Sequence, residues 1–311
     1  MTTDVIPLGT AAAIPTPRRH LSAMAVQRKG RVLLFDCGEG TQYRFLDADL
    51  NRARIDAMFI THLHGDHVFG LPGLLSTMDL LQRTDPVTVV GPAGIRALVT
   101  SLPGLHPDAV GFPMTYRELA PGTEQAVVYE TEEITVEARP LEHRTEAFGY
   151  RLQEKTRPGR FDPTAARNLG ITNPRDFGRL QDGQAVETED GTTVQPEQVL
   201  GPPREGTVVA YVTDSRPCDA GRTLADEADL LYHDATFTDA LHARAVETGH
   251  ATAREAAEIA RDAGASRLLL GHVSARYDDP APLVREARTV FPHADVAEEL
   301  RRYVLDPREK W

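Results

Sequence analysis

The chain has 311 residues, with 34 Lys+Arg against 46 Asp+Glu for a net charge of −12, and 41% of it is hydrophobic. That length and content suit a sizeable core, while no apolar run approaches the roughly 20 residues of a membrane span and the two cysteines, Cys37 and Cys218, fit neither a disulfide scaffold nor a thiolate zinc site. On net charge alone, a nucleic-acid partner is not expected.

Short β-branched runs ended by Gly, Asp or His predict strands through the first half. Arg31 to Phe35 stops at Asp36-Cys37-Gly38, Ile55 to Ile60 at Thr61-His62, and Val87 to Val90 at Gly91-Pro92. Apolar residues at 71, 74, 75, 78 and 81 predict a helix over 71–82. Residues 134–139 alternate as a half-buried strand before Pro140. From about 155 to 203 the composition shifts to Gly, Pro, Asn and Asp, which marks functional loops or a protruding arm inserted in a single domain of 1–311. Its first part holds Lys155, Arg157, Arg160, Arg167, Arg175 and Arg179 against Asp162 and Asp176, a local charge of +4. The alternation then resumes: Val208 to Val212 runs into Thr213-Asp214, Leu230 to Tyr232 into His233-Asp234, and Leu268 to Leu270 into Gly271-His272. A helix over 253–263 opens on Thr252-x-x-Glu255, a capping box, and closes at Gly264. Strands alternating with helices in both halves predict a layered α/β architecture.

The chemistry concentrates in Thr61-His62-Leu63-His64-Gly65-Asp66-His67. Unpaired His and Asp cost free energy to bury, so packing does not explain four of them in six residues. In an extended stretch His62 and His64 point to one side and share one cation, and a turn at Gly65 lets Asp66 and His67 face a second. Imidazole with carboxylate suits Zn²⁺, with Mn²⁺ or Fe as alternatives. Open α/β sheets carry their chemistry at strand ends, where His143, Asp214 and His272 also fall. His62, His64 and His143 would then hold one metal and Asp66, His67 and His272 the other, with Asp214 between them. Such a pair would acidify a water into a nucleophile at neutral pH. Cys37 reads as a small buried hydrophobe.

This loop with its downstream His, Asp and His resembles the metallo-β-lactamase superfamily. The surrounding text resembles the ribonuclease Z family: Leu34 to Gln42, Phe59 to Leu74, His143 with Ala147 to Arg151, Thr213-Asp-Ser-Arg-Pro217, His233-Asp-Ala-Thr-Phe237, His250-Ala-Thr and Gly271 to Tyr277, in the family's order. The resemblance implies an αββα sandwich with an inserted flexible exosite arm, two zinc ions per subunit, and a homodimer. It implies an endoribonuclease, acting in the cytoplasm on neither DNA nor membranes, that cuts precursor tRNA after the discriminator, leaving a tRNA 3′-hydroxyl and a 5′-phosphate on the trailer. The basic cluster would grip tRNA phosphates, which gives affinity without reading bases.

By the same resemblance Asp66 is the proton acceptor, His250 the candidate donor to the leaving 3′-oxygen, His233 a supporting or phosphate-contacting residue, Arg276 a phosphate ligand, and Asp36 an orienting residue that does not ligate. Two departures stand out: Asp234 replaces the family's Glu, one methylene longer, and Asn173-Pro174 stands where the arm usually has Gly-Pro. The metal loop alone equally fits a hydrolase of a small ester, thioester or phosphodiester, which has no evident use for a basic arm.

Overall fold

The computed structural model describes residues 2–106 and 109–306. The chain divides into two compact units, residues 1–153 with 207–311, and residues 154–206.

The larger unit contains two seven-stranded sheets. The first runs Tyr303–Leu305, Thr3–Gly9, Ala23–Arg28, Arg31–Phe35, Ile55–Phe59, Val87–Pro92 and Met114–Leu119 in spatial order; the second runs Ala294–Val296, Leu268–Gly271, Leu230–Asp234, Val208–Val212, Phe148–Glu154, Ile134–Pro140 and Ala126–Glu130. Phe35, Phe59, Tyr150, Tyr211 and Tyr232 fill the space between the sheets, with Phe35 and Phe59 stacked at 5.0 Å. On its outer face the first sheet packs Ile6, Leu34 and Met58 against Phe45, Leu71, Leu74 and Leu75 of the helices. The second sheet does the same with Ala210, Leu231 and Leu270 against Ala256, Ala260 and Leu283. Three apolar layers between four structural layers give the αββα order implied by the resemblance. None of the described helices is long and apolar enough to cross a membrane.

The predicted helix over 71–82 spans Leu71–Leu80 and leaves Leu81 57% exposed beyond its end. The capping box closes as expected: Thr252 Oγ1 accepts from Glu255 N and Glu255 Oε2 from Thr252 N.

Arg31–Phe35, Ile55–Phe59 and Val87–Pro92 run parallel, as do Val208–Val212, Leu230–Asp234 and Leu268–Gly271. The residues that follow them therefore gather along one edge of each sheet.

The smaller unit has its own core of Ala166, Ile171, Leu180, Val186, Val194 and Val199, with Phe161 and Phe177 against it. This departs from the loop reading of its composition. Its apolar residues are spaced singly and produce no periodic run, yet two helices, Pro163–Asn168 and Pro174–Gln181, and a two-stranded ribbon bring them together. Asn173 caps the second helix by accepting from Arg175 N, so the Asn-Pro pair is a helix start, with Pro at the first turn. Arg160, Arg167, Arg175 and Arg179 are exposed, whereas Lys155 and Arg157 are half-buried. Glu154 and the remainder, 181–206, carry one arginine against seven carboxylates, so residues 154–206 as a whole have net charge −2.

Candidate metal centre

His62, His64, Asp66 and His67 follow the strand Ile55–Phe59, His143 follows Ile134–Pro140, and Asp214 and His272 follow Val208–Val212 and Leu268–Gly271. Asp36, Asp214 and His272 all adopt left-handed backbone, with φ of 55°, 50° and 52°. Non-glycine residues pay of order 1 kcal/mol or more for that conformation, which strand-end packing here sustains. Gly271 precedes His272 because a Cβ there would lie 2.0 Å from the Tyr232 hydroxyl.

These turns aim seven side chains at one another. One nitrogen or oxygen from each of His62, His64, His143 and Asp214 lies within 4.8 Å of the rest, and the same holds for Asp66, His67 and His272. The two oxygens of Asp214 divide between the groups. Oδ1 is 3.8 Å from His62 Nε2 and 4.0 Å from His143 Nε2, while Oδ2 is 3.1 Å from His67 Nε2 and 3.2 Å from His272 Nε2. Asp66 Oδ2 lies 3.4 Å and 3.6 Å from those last two nitrogens.

The Nε2 atoms of His67, His143 and His272 are buried and make no hydrogen bond among the described residues. Each ring is tied at its other nitrogen instead: His67 Nδ1 to Asp36 at 2.7 Å, His143 Nδ1 to the Gly249 carbonyl at 2.9 Å, and His272 Nδ1 to Thr236 Oγ1 at 3.0 Å. Buried polar atoms without partners are costly, and imidazoles held at Nδ1 with Nε2 converging on carboxylates are the donor set of a metal site. The residues fit such a group.

The charges agree. Burial drives His62 well below the usual imidazole range, helped by its neighbour His67. Burial also opposes charge on Asp214, yet the rings of His272, His67 and His62 hold its carboxyl well below normal. Asp66 is likewise held low against burial by the nearby rings of His272 and His67.

Asp36 is fully buried and does not reach the cluster's centre; it accepts from Thr61 N at 2.8 Å, from Thr61 Oγ1, from His67 and from Tyr211. His250 stacks on His272 with centroids 5.1 Å apart, and its Nδ1 meets Asp234 Oδ2 at 2.8 Å. The shorter side chain of Asp234 thus reaches His250. Burial lowers the His250 pKa, but the Asp234 charge and hydrogen bond prevail and raise it to about 9. Arg276 rests over the Phe237 ring at 5.8 Å, beside a cavity of about 460 Å³ lined also by Ile14, Arg244, His250 and His272. His233 is 1% exposed and bonds the Asp234 carbonyl, so it has no opening through which to touch a phosphate. Cys37 is buried, with its thiol pushed up to about 12 by desolvation, and is an inert filler.

Sequence reading missed three contributors. The Ala13 amide donates to Asp66 Oδ2 at 3.0 Å, Tyr211 donates to Asp36, and Arg216 donates to the His250 carbonyl. Arg216 had a signal, standing two residues after Asp214 in a quoted motif; a backbone amide and a strand tyrosine had none.

Residues 3–105 match the family described as Anti-Pycsar protein Apyc1, and residues 185–273 match the Beta-lactamase superfamily domain. A ribonuclease Z of Salinibacter ruber is 66% identical over 311 residues, covering 100% of this chain and 97% of the relative. One from Bacillus cereus is 40% identical over 304 residues, covering 96% and 98%. The crystal structure of human tRNase Z, short form, matches with a TM-score of 0.71 and 30% identity across 96% of this chain and 98% of that one. With identity of this extent carried along its full length, the chain belongs to the ribonuclease Z family and has the metallo-β-lactamase fold.

Proposed function

We propose that the chain is a zinc-dependent endoribonuclease that removes the 3′ trailer of precursor tRNA by hydrolysis after the discriminator nucleotide, leaving a tRNA 3′-hydroxyl and a 5′-phosphate on the trailer. The observation that carries the reading is the convergence of seven ligand-type side chains, three with orphaned Nε2 atoms, in a chain of this family.

His62, His64, His143 and Asp214 Oδ1 would hold one zinc ion; Asp66, His67, His272 and Asp214 Oδ2 would hold a second. Bound there, the cations would acidify a water into a nucleophile and offset charge building on the phosphoryl oxygens. The chain's own groups then move the protons. Asp66, kept ionised and steadied by the Ala13 amide, orients the water and accepts its proton. Asp234 accepts from His250 Nδ1 and its charge keeps the ring doubly protonated, so Nε2 also carries a proton to offer to the leaving 3′-oxygen. Arg276 at the cavity rim supplies a fixed cation for a flanking phosphate.

The exposed Arg160, Arg167, Arg175 and Arg179 suit contact with tRNA phosphates. Lys155 and Arg157, half-buried at the start of the insertion, serve that role less well. Tyr43, Leu46 and Leu80 on two helices of the larger unit, and Leu81 just past the end of the second, are all more than half exposed, which supports a homodimer that covers them. The cytoplasm is the fitting compartment for this reaction.

The test is incubation of the zinc-loaded protein with a 3′-extended precursor tRNA and mapping of the cut. A single cut after the discriminator with a 3′-hydroxyl is expected. No cut there, with rapid turnover of a small ester, would overturn the reading.

A further inference from the structure

The turn Gly249-His250 is held by its carbonyls from two sides. Gly249, at φ 77°, accepts from His143 Nδ1 at 2.9 Å, and a Cβ on it would come within 3.0 Å of that nitrogen. The carbonyl of His250 accepts from Arg216 Nη1. The same guanidinium makes a two-pronged contact with Glu255, Nη1 to Oε2 at 2.8 Å and Nη2 to Oε1. Glu255 is itself fixed by the capping box at Thr252, and Arg216 N donates to the Glu142 carbonyl at 2.8 Å. One residue thus joins the loop that bears His143, the loop that bears Asp214 and the turn that bears His250. Its side chain is only 19% exposed and that of Glu255 12%, so solvent screens the pair little.

We infer that Arg216, braced by Glu255, is a positioning residue for proton transfer by His250. The ring of His250 reaches Asp234 on one side and the reacting centre on the other, and its reach depends on where its backbone is held. A planar fork that meets the His250 carbonyl and both Glu255 oxygens fixes that backbone; a lysine has no such fork. In the step concerned, the bond from water oxygen to phosphorus forms and the bond from phosphorus to O3′ breaks. The proton lost by the water goes to Asp66, and His250 gives its own to O3′. The inference rests on the reading of His250 as that donor.

Leaving-group chemistry separates this role from a merely structural one. A precursor tRNA with sulfur in place of the 3′-oxygen at the scissile bond expels a thiolate, which leaves without being protonated. Zinc-loaded wild type, His250→Ala, Arg216→Gln and Glu255→Gln are compared on both substrates, with zinc per chain measured for each. General-acid loss costs about 100-fold or more, and that fall is expected for His250→Ala on the oxygen substrate, with rescue by sulfur. Arg216→Gln is expected to lose about 10- to 100-fold in kcat on the oxygen substrate, with KM within about twofold, and to be rescued on the sulfur one. Glu255→Gln should follow it, which keeps the test open if Arg216→Gln fails to fold. If His250→Ala shows the leaving-group effect and neither Arg216→Gln nor Glu255→Gln does, or if these two lose equally on both substrates, the positioning role is overturned. If His250→Ala itself shows no leaving-group effect, the donor reading falls and the inference falls with it.

Discussion

The phenol of Tyr211 donates to Asp36 Oδ2 across 3.1 Å, and that same oxygen accepts from His67 Nδ1 at 2.7 Å. Tyr211 belongs to the second sheet and Asp36 follows a strand of the first, so one buried carboxylate couples the two halves beneath the ligand cluster. Because the carboxylate accepts at Nδ1, the tautomer of His67 is set and Nε2 faces the cluster. Tyr211→Phe removes a donor and loosens that ring. Its zinc affinity is expected to fall about tenfold, read by competition with a chromogenic chelator. An unchanged affinity would mean that Thr61 and His67 alone satisfy Asp36.

Asp214 offers one oxygen to each ligand group, at 3.1 to 4.0 Å from four imidazole nitrogens. Asp214→Ala therefore removes a ligand from both positions and their shared negative charge. Elemental analysis of the purified variant should find both sites depleted. Two zinc ions retained per chain would refute a shared role for Asp214.

Burial opposes charge on His67, yet the carboxylates of Asp214 and Asp36 outweigh it, so the ring is held protonated well above the usual imidazole range when no cation is bound. A cation taking Nε2 must displace that proton. Zinc affinity should therefore rise with pH, by about tenfold per unit for each proton displaced, and fall correspondingly on acidification. Calorimetry at pH 7 in buffers of different ionisation enthalpy should register proton release on zinc binding; none would mean that the ring is already neutral.

Arg160, Arg167, Arg175 and Arg179 stand exposed on a unit whose net charge is −2, so any grip on RNA depends on where those four lie. Replacing all four by Gln should weaken precursor tRNA binding and flatten its salt dependence by about 0.7 to 0.9 log units per lost phosphate contact. Hydrolysis of bis-p-nitrophenyl phosphate should be unaffected. Equal loss on both substrates would argue that these arginines support the fold.

Much of the site was legible because its signals are local. The alternation of His62 and His64, the turn at Gly65, strand runs ending at Asp36, Asp214 and His272, and the Thr252–Glu255 box all lie within a few residues of sequence. The small core of residues 161–199 was not legible, since singly spaced Phe161, Ala166, Ile171 and Leu180 give no period to read. Net charge misled for a related reason: −12 describes the whole chain, whereas a phosphate meets only the residues beside it.

The sequence by itself determined which side chains the chain carries to its strand ends, hence the ligand chemistry, and through its alternating runs a layered α/β architecture. Only the tertiary structure decided how those side chains face one another. Asp36 and Tyr211 are 175 residues apart, and Arg216 meets His250 across 34. Contacts at that separation are set by sheet packing and by left-handed turns at Asp36, Asp214 and His272, which pack well only once both sheets are in place. The division of Asp214 between two groups of imidazoles is therefore a property of the assembled sandwich, absent from any stretch of the chain that builds it.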